Sequence, residues 1–556
     1  MFLTQTVRSV AHKACRQLPR FARSNNGSTA IIFALSMIPV LAVGGAGIDL
    51  ARAMMVKARL SSALDAAALA VGKTSGLTTP QIQALAQKYF DANYPSGTSL
   101  GTHDAVAVTV NGPSISLRVN GTVPTTLLKL VHFDQLHLGV RNTVTRNTTN
   151  VEVALALDNT GSMAGTKIAD LKDAAKDLID LVVLDDQSLA YSKVALAPYS
   201  MGVNVGAYAN QVRGAIAPGK TITAATKANP IVITANTHGF ATNDYIYITG
   251  VSGMTQLNNK PYQVVKVDAN RFQLKDTSGT LINSTSYSTF TVGAGTAAAY
   301  CTKGGGTSAA PITPACPYYR FQNSSGNWNL FQVSTCVTER STNPYNDVAP
   351  STTPLGRNYP AVQVTSTYPV SSTNPCTSSL IAPLSPNRTT LHTAVDNMTA
   401  GGSTGGHIGV AWGWYLLSPN FGYLWPGQGQ AAAYTAPNTV KVAVIMTDGE
   451  YNSSYCNGVI SQDSTSGSGS SSDHINCNAP NGNTYTQAQA LCTAMKASKI
   501  IIYTVGFQVV SAPAATALIN NCATDAQHVY IATTGGDLKA AFHAIAVGIS
   551  QLRLSK

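Results

Sequence analysis

The sequence predicts an α/β protein: a doubly wound, mostly parallel sheet with an inserted all-β module, preceded by a transmembrane helix and a small α+β stalk. Three observations carry that class. Val151 to Leu157 and Lys441 to Met446 are short, nearly continuous apolar runs bounded by turn residues, the pattern of strands buried on both faces of a parallel sheet. Segments with apolar residues at helical spacing alternate with such strands on both sides of a long interruption. Within it, Thr221 to Ala299 breaks into short strands separated by Gly, Asn and Asp turns, an all-β pattern.

The N-terminal part is set by charge. The chain has 556 residues, room for three or four domains, and only 11% are charged. Ser, Thr, Asn, Gly and Tyr are abundant, which suits an exported surface protein better than a cytosolic enzyme. Of the net +11, Arg8, Lys13, Arg16, Arg20 and Arg23 supply five charges, and no acidic residue precedes Asp49. That asymmetry is topological. Residues 1–28 read as a basic cytoplasmic arm, and basic charge beside a membrane argues against nucleic-acid binding. Thr29 to Ile48 carries no charge and, as a helix, spans roughly 30 Å, enough for the hydrocarbon core. Pro39 and the glycines are tolerated there. The positive-inside rule keeps the N-terminus cytoplasmic and exports the rest, as a single-pass inner-membrane protein with its bulk periplasmic or extracellular. A cleaved signal peptide is the rival, with small residues at Ala42-Val43-Gly44. The apolar run continues into an alanine-rich helix, Ala51 to Val71, which favours an uncleaved anchor spanning 29–72.

Asn26 to Leu35, Gly47-Ile-Asp-Leu-Ala-Arg52 and Leu60-Ser-Ser-Ala-Leu-Asp-Ala-Ala-Ala-Leu-Ala70 together resemble the N-terminal module of TadG-type and TadE-type proteins of tight-adherence (Flp) pilus assembly. The resemblance implies an envelope protein that works with pilus components. Pseudopilins of that system carry a Glu near the start of the apolar segment; none stands here, so the anchored TadG pattern fits better than a processed pilin.

Residues 73–150 predict the stalk. Gln81 to Tyr94 is helical, and Ala105 to Val110, Ser114 to Val119 and Leu138 to Thr145 alternate as strands, with a hairpin turn at Asn111-Gly112. The β module is expected over 221–300. Its Ala228-Asn-Pro-Ile-Val-Ile-Thr, His238-Gly-Phe and Gly250-Val-Ser-Gly-Met-Thr resemble small β-barrel modules of phage tail proteins, related to a half-domain of ubiquitin-activating enzymes. That implies fold without ubiquitin chemistry, and His238 reads as a turn residue.

Residues 301–383 form a Cys/Pro-rich irregular insertion, too long for an ordinary loop unless stapled or functional. Of nine cysteines, Cys15 lies on the cytoplasmic side, and the other eight form an even set in an oxidising compartment. Cys456 with Cys477 and Cys492 with Cys522 are plausible pairs, although spacing alone does not establish either. Zinc is disfavoured by the lack of any Cys-x-x-Cys.

The remaining core covers 151–215 and 384–553. Val151 to Leu157 ends in Asp158-Asn159-Thr160-Gly161-Ser162, which sets one carboxylate and two hydroxyls on alternate residues before a helix from Lys167 to Leu184. Open α/β sheets bind ligands at that carboxyl end. The same residue types also cap helices. Asp-x-Thr-x-Ser resembles the metal-ion-dependent adhesion site (MIDAS) of von Willebrand factor type A domains, usually Asp-x-Ser-x-Ser. Thr447-Asp448-Gly449 and the Gly-rich loop 400–406 match two further loops of that family in order. The resemblance implies the ligand set Asp158, Thr160, Ser162, Thr404 and Asp448, with Ser403 the less favoured choice in the Gly-rich loop. It implies a divalent cation, magnesium first and manganese or calcium as alternatives, since hard cations take carboxylate and hydroxyl oxygens. It also implies a protein partner that completes the shell with an acidic side chain.

Two other classes compete. Gly401-Gly-Ser-Thr-Gly405 formally matches a serine-hydrolase nucleophile elbow, which needs a buried strand before it; Thr389 to Met398 reads as a helix instead. A purely structural pilus subunit is the other, and it would not need a metal site. The expectation is a binding protein, not an enzyme.

Overall fold

The computed structural model describes residues 28–74, 77–94, 101–146, 149–292, 297–304, 314–323, 325–340, 344–362 and 374–554. The basic arm, with Cys15, lies outside them. The chain divides into two compact units, residues 1–147 and 148–556.

The first unit is built on one long helix, α1 (Ser28–Lys73), which contains Pro39. Its two halves differ. Residues 29–48 expose nearly every apolar side chain, while Leu60, Ala63, Leu64, Ala67 and Val71 are buried. Among the described residues it is the one helix long and apolar enough to cross a membrane. Its buried face packs on α2 (Thr79–Asn93) and on a sheet of β1 (Ala107–Asn111), β2 (Ser114–Pro124) and β3 (Gln135–Thr145). β2 is central and antiparallel to both neighbours, and the β1–β2 turn falls at the expected Asn111-Gly112, where Gly112 has φ +56°.

The second unit contains a six-stranded sheet. In chain order its strands are β4 (Asn150–Asp158), β5 (Ser192–Tyr199), β6 (Ala382–Ser385), β7 (Thr439–Thr447), β8 (Ile501–Phe507) and β9 (Val529–Ala532). Their spatial order is β6-β5-β4-β7-β8-β9, with every pair parallel except the antiparallel edge β6–β5. Residues 151–158 and 440–447 are buried throughout, so neither strand shows the alternation of a half-exposed sheet. Helices cover both faces. α3 (Thr166–Val182), α4 (Arg388–Asp396) and α8 (Gly535–Leu554) pack on one through Leu171, Leu178, Leu391 and Phe542. α5 (Gly406–Tyr415), α6 (Thr484–Ala497) and α7 (Pro513–Cys522) pack on the other through Trp412, Leu491 and Leu518. The sheet order reverses direction between β4 and β7, so the loops after these two strands diverge from one crevice.

The β region forms a separate nine-stranded sheet. Its core is Ile233, Ile246, Val264, Phe272 and Leu274. His238, expected as a turn residue, directly follows the turn at residues 236–237 and is buried: Nδ1 accepts the Phe240 amide at 3.0 Å, Nε2 lies 2.9 Å from the Asp268 carbonyl, and the ring packs on Phe240 and Phe272. The sheet also runs across the boundary expected at residue 300. The strand Ala298–Gly304 pairs with Tyr245–Thr249 on one side and with Tyr318–Gln322 on the other, and Trp328–Gln332 completes a hairpin. Cys301–Cys316, Cys336–Cys376, Cys456–Cys477 and Cys492–Cys522 are disulfide-bonded, the last two being the pairs expected from sequence.

Candidate functional site

Four of the five expected ligands form one continuous chain of contacts at the carboxyl ends of β4 and β7. Asp158 is fully buried. Its Oδ1 accepts the Thr160 amide at 3.0 Å and faces the Thr160 hydroxyl at 2.7 Å. The Thr160 hydroxyl lies 2.9 Å from that of Ser162, which donates to Asp448 Oδ1 at 2.6 Å. The chain from Asp158 to Asp448 thus has three short oxygen–oxygen contacts. With both carboxylates ionised, two hydroxyls offer only two protons for three contacts. One contact along this line of oxygens is therefore left without a proton, a place that a proton on a carboxyl or a cation facing the lone pairs would fill.

The electrostatics agree. Burial, and then the charge of Asp448, push the Asp158 carboxyl up to about 6, against hydrogen bonds from Thr160 and Thr447 that pull it down. Two carboxylates brought together in a dry place favour uptake of a positive charge. Lys167, on the first turn of α3, supplies part of it through its ammonium, 2.8 Å from Asp448 Oδ2.

Thr404 is placed by a different device. The Gly-rich loop is clamped to the Asp158 loop by two main-chain bonds, from the Gly161 amide to the Gly402 carbonyl at 2.8 Å and from the Gly401 amide to the Asn159 carbonyl at 2.9 Å. A glycine is required at 402: φ is +80°, and a Cβ would come within 2.9 Å of the Asn374 side-chain oxygen. Thr404 itself is buried, with its amide on Asn452 Oδ1 at 2.8 Å and its carbonyl accepting the Asn452 and Ser453 amides. It belongs to the same loop cluster, but its side chain makes no contact described with the other four. Ser403, the less favoured choice, is committed elsewhere, to Asn374 and to the Ser453 hydroxyl. The helix α5 that follows lies so close to its surroundings that a Cβ on Gly406 would enter the ring of Tyr451, in the loop after β7, and one on Gly409 the ring of Tyr199 on β5.

Several neighbours were given no role from sequence, Thr447 among them although its motif was singled out. Thr447 donates to Asp158 Oδ2 at 2.8 Å, and Tyr199, donating to the Met446 carbonyl at 2.8 Å, brings its hydroxyl within 3.4 Å of the same oxygen. Burial raises the Tyr199 phenol well above its ordinary range, so it stays a donor. The Thr before Asp448 could have been found from its position. Lys167, Tyr199 and Asn452 could not, because tertiary approach alone gives them their partners.

The donor set suits a hard divalent cation: carboxylates and hydroxyls, all oxygen, with a deficit of positive charge. Among the described residues no three His, Cys, Asp or Glu side chains come together in a way that could hold a metal ion, so a cation at this site would rest on two carboxylates and the hydroxyls. For the hydrolase motif, Ser403 Oγ meets Asn374 and Ser453, while His407 Nε2 is 2.7 Å from Glu339.

Comparison with known proteins adds the following. Residues 27–74 match the family model of putative Flp pilus-assembly TadE/G-like proteins, and the N-terminal segment is of that kind. Residues 228–287 match the FCCH domain of ubiquitin-activating enzyme E1. No curated protein matches the chain. Among solved structures, the vWF domain of the type V pili tip protein Mfa5 from Porphyromonas gingivalis is similar at 9% identity, covering 73% of this chain and 96% of that one, with a TM-score of 0.31. The pilus adhesin SpaC from Lactobacillus rhamnosus GG is similar at 11% identity over 80% of this chain, with a TM-score of 0.28. This chain spans 34% of that adhesin's length. Likeness at this level carries no argument about function.

Proposed function

We propose that this is a membrane-anchored, exported protein of Flp/Tad pilus assembly or surface attachment, which binds a protein partner through a divalent cation. The six-stranded sheet is, on this reading, a doubly wound von Willebrand factor type A domain. Asp158, Thr160, Ser162, Thr404 and Asp448 hold the ion directly or through water. The bound ion supplies Lewis acidity toward an acidic side chain of the partner. The chain's own residues bury the two carboxylates, orient the hydroxyls and hold the Gly-rich loop against them. The protein acts by binding and not by turnover, with its N-terminus in the cytoplasm and its bulk beyond the inner membrane.

The observation that carries this reading is the oxygen chain from Asp158 to Asp448, in which one contact is left without a proton. A second reading, a structural pilus-associated subunit, is favoured by one specific feature: Lys167 already supplies an internal cation to Asp448.

Calorimetric titration of magnesium, then manganese, into the disulfide-intact full chain in detergent separates them. We expect saturable one-site binding by the wild type, and none by Asp158→Ala with an unchanged circular dichroism spectrum. Wild-type protein that takes up neither ion would hand the case to the structural reading. Gross unfolding of Asp158→Ala would mark that carboxylate as structural.

A further inference from the structure

A cavity of about 310 Å³ lies between the helix Ala209–Arg213, the strand Gly356–Arg357 and the turn after Cys456. Two arginines line it. Arg213 is 5% exposed, and its Nε and Nη1 are buried without an acceptor; the Nε of Arg357 is in the same state. Both side chains line the cavity, and Arg357 Nη2 lies beside the residue that follows Arg213, 2.9 Å from where a Cβ on Gly214 would stand. All 25 Asp and Glu residues of the chain lie among the described residues, and none of them pairs with either guanidinium. Burial, reinforced by the charge of Arg357, pulls Arg213 down to about 10 against the favourable field of Tyr359.

The other charged groups on this cavity are already committed. Glu339 accepts the Tyr455 amide at 3.2 Å and faces His407 at 2.7 Å. Arg340 donates to the Thr353 and Val348 carbonyls and to the Tyr415 hydroxyl. Tyr319 and Tyr359, packed edge to face at 4.4 Å, add flat aromatic walls. A buried guanidinium without a paired carboxylate is costly, and together with the partly buried Arg357 on the same cavity it offers forked donors that match the acceptors of an oxyanion. The volume falls at the lower end of small-molecule sites, larger than a bare ion needs.

We propose that this cavity binds a small organic oxyanion, a carboxylate or a phosphate monoester, held by the paired guanidinium groups of Arg213 and Arg357. The test uses the full chain in metal-free buffer, titrated with succinate, glycerol phosphate and inorganic phosphate and followed by calorimetry and thermal shift. Saturable binding of succinate or glycerol phosphate is expected, weakened at least tenfold by Arg357→Gln and unchanged by Asp158→Ala. Succinate alone would assign a carboxylate, and glycerol phosphate alone a phosphate ester. Arg357 is only partly buried, so its replacement should spare the fold; Arg213→Gln is the second variant. No saturable binding of either organic probe, or binding indifferent to both substitutions, overturns the proposal.

A separate observation concerns the first unit and rests on the membrane-anchor reading. The turn around the 3₁₀ segment Leu128–Val131 exposes Leu130 by 72% and Phe133 by 62%. It is not a loose loop. Asp49 on α1 accepts the amides of Thr126, Leu127 and Leu128 at 3.0, 2.9 and 2.8 Å, and Leu127 lies so close to Gly45 that a Cβ there would sit 2.4 Å away. The exposed apolar turn is therefore fixed beside the end of the apolar stretch 29–48, whose own side chains Val43 and Ile48 are exposed as well. We infer that Leu130, Val131 and Phe133 insert into the lipid interface on the exported side, giving the anchor a second foot.

The measurement is lipid-quenched fluorescence of an environment-sensitive dye on the full chain in nanodiscs of phosphatidylcholine and phosphatidylglycerol, in a Cys15→Ser background. Dye at Leu130→Cys should behave like dye at Val40→Cys, blue-shifted and quenched by spin-labelled lipid, and unlike dye at Tyr89→Cys on α2. A water-like signal at position 130 with a lipid signal at 40 overturns the inference alone. Water-like signals at both overturn the anchor as well.

Discussion

Strands β4 and β7 lie side by side and carry charged residues at both ends, yet the two ends are built on opposite principles. At the amino end Glu152 and Lys441 stand opposite each other in the ladder, and their charged atoms meet at 2.5 Å. Further partners surround the pair: Glu152 also takes the Ala432 amide and the Tyr191 hydroxyl, and Lys441 also donates to the Leu417 carbonyl and lies over the Tyr434 ring. Burial lowers the Lys441 ammonium while Glu152 holds it up. Six residues along the strand, roughly 20 Å away, the same two strands end in two carboxylates, Asp158 and Asp448. The one ammonium there among the described residues, Lys167, reaches in from a helix and pairs with Asp448 alone. The first end is closed and neutral. The second sets two carboxylates against one ammonium, and the proposed cation would answer the charge left over.

Breaking the closed end should cost the most. Glu152→Ala leaves the Lys441 ammonium buried without its counter-ion, a loss of about 3–5 kcal/mol in unfolding free energy measured with urea. Replacing both partners, Glu152→Leu with Lys441→Met, should recover most of it, because a buried pair contributes little beyond neutralising itself. If the single variant unfolds like wild type, the pair is not the closed structural unit described here.

The difference between the ends also explains what could be read in advance. Asp158, Thr160, Ser162 and Asp448 could be singled out because each follows an apolar strand at a fixed offset and because their loops resemble those of type A domains; the structure brings the four into contact. Lys167 was not, since a lysine on the first turn of an amphipathic helix looks like any solvated residue until the fold brings Asp448 to it. The second hairpin of the β sheet was hidden for another reason. Residues 318–321 are all buried, which removes alternation, and one of them is Arg320, held over the rings of Tyr245 and Trp328. A buried arginine among Pro, Ser and Thr gives no strand signal. The arginines at 213 and 357 are 144 positions apart, and only topology brings both to one cavity.

Lys167→Met sharpens the contrast at the open end. Removing the ammonium leaves Asp448 Oδ2 without its internal cation and takes away a like charge that would repel an incoming ion. Magnesium affinity should rise about tenfold, or about 1.4 kcal/mol, read in the same titration that tests Asp158→Ala. Unchanged or weaker affinity would mean that Lys167 orients Asp448 for the ion instead of competing with it.

The smallest effect is the dependence of stability on pH. In protein stripped of divalent ions, the folded-state carboxyl of Asp158 titrates near 6, above the ordinary value of 3.8. A raised acid binds its proton more tightly in the folded state, so stability is greatest while both forms are protonated. It falls as pH rises from about 4 to 6, and the loss is complete above that window. Between pH 5 and 7 the difference between wild type and Asp158→Asn, which has no carboxyl to titrate there, should amount to about 1 kcal/mol, with wild type losing stability. Saturating magnesium should flatten the wild-type curve, because the ion supplies the positive charge that the proton otherwise provides. Parallel curves for the two proteins in metal-free buffer would mean that Lys167 already balances the oxygen chain, leaving no surplus for an ion to answer.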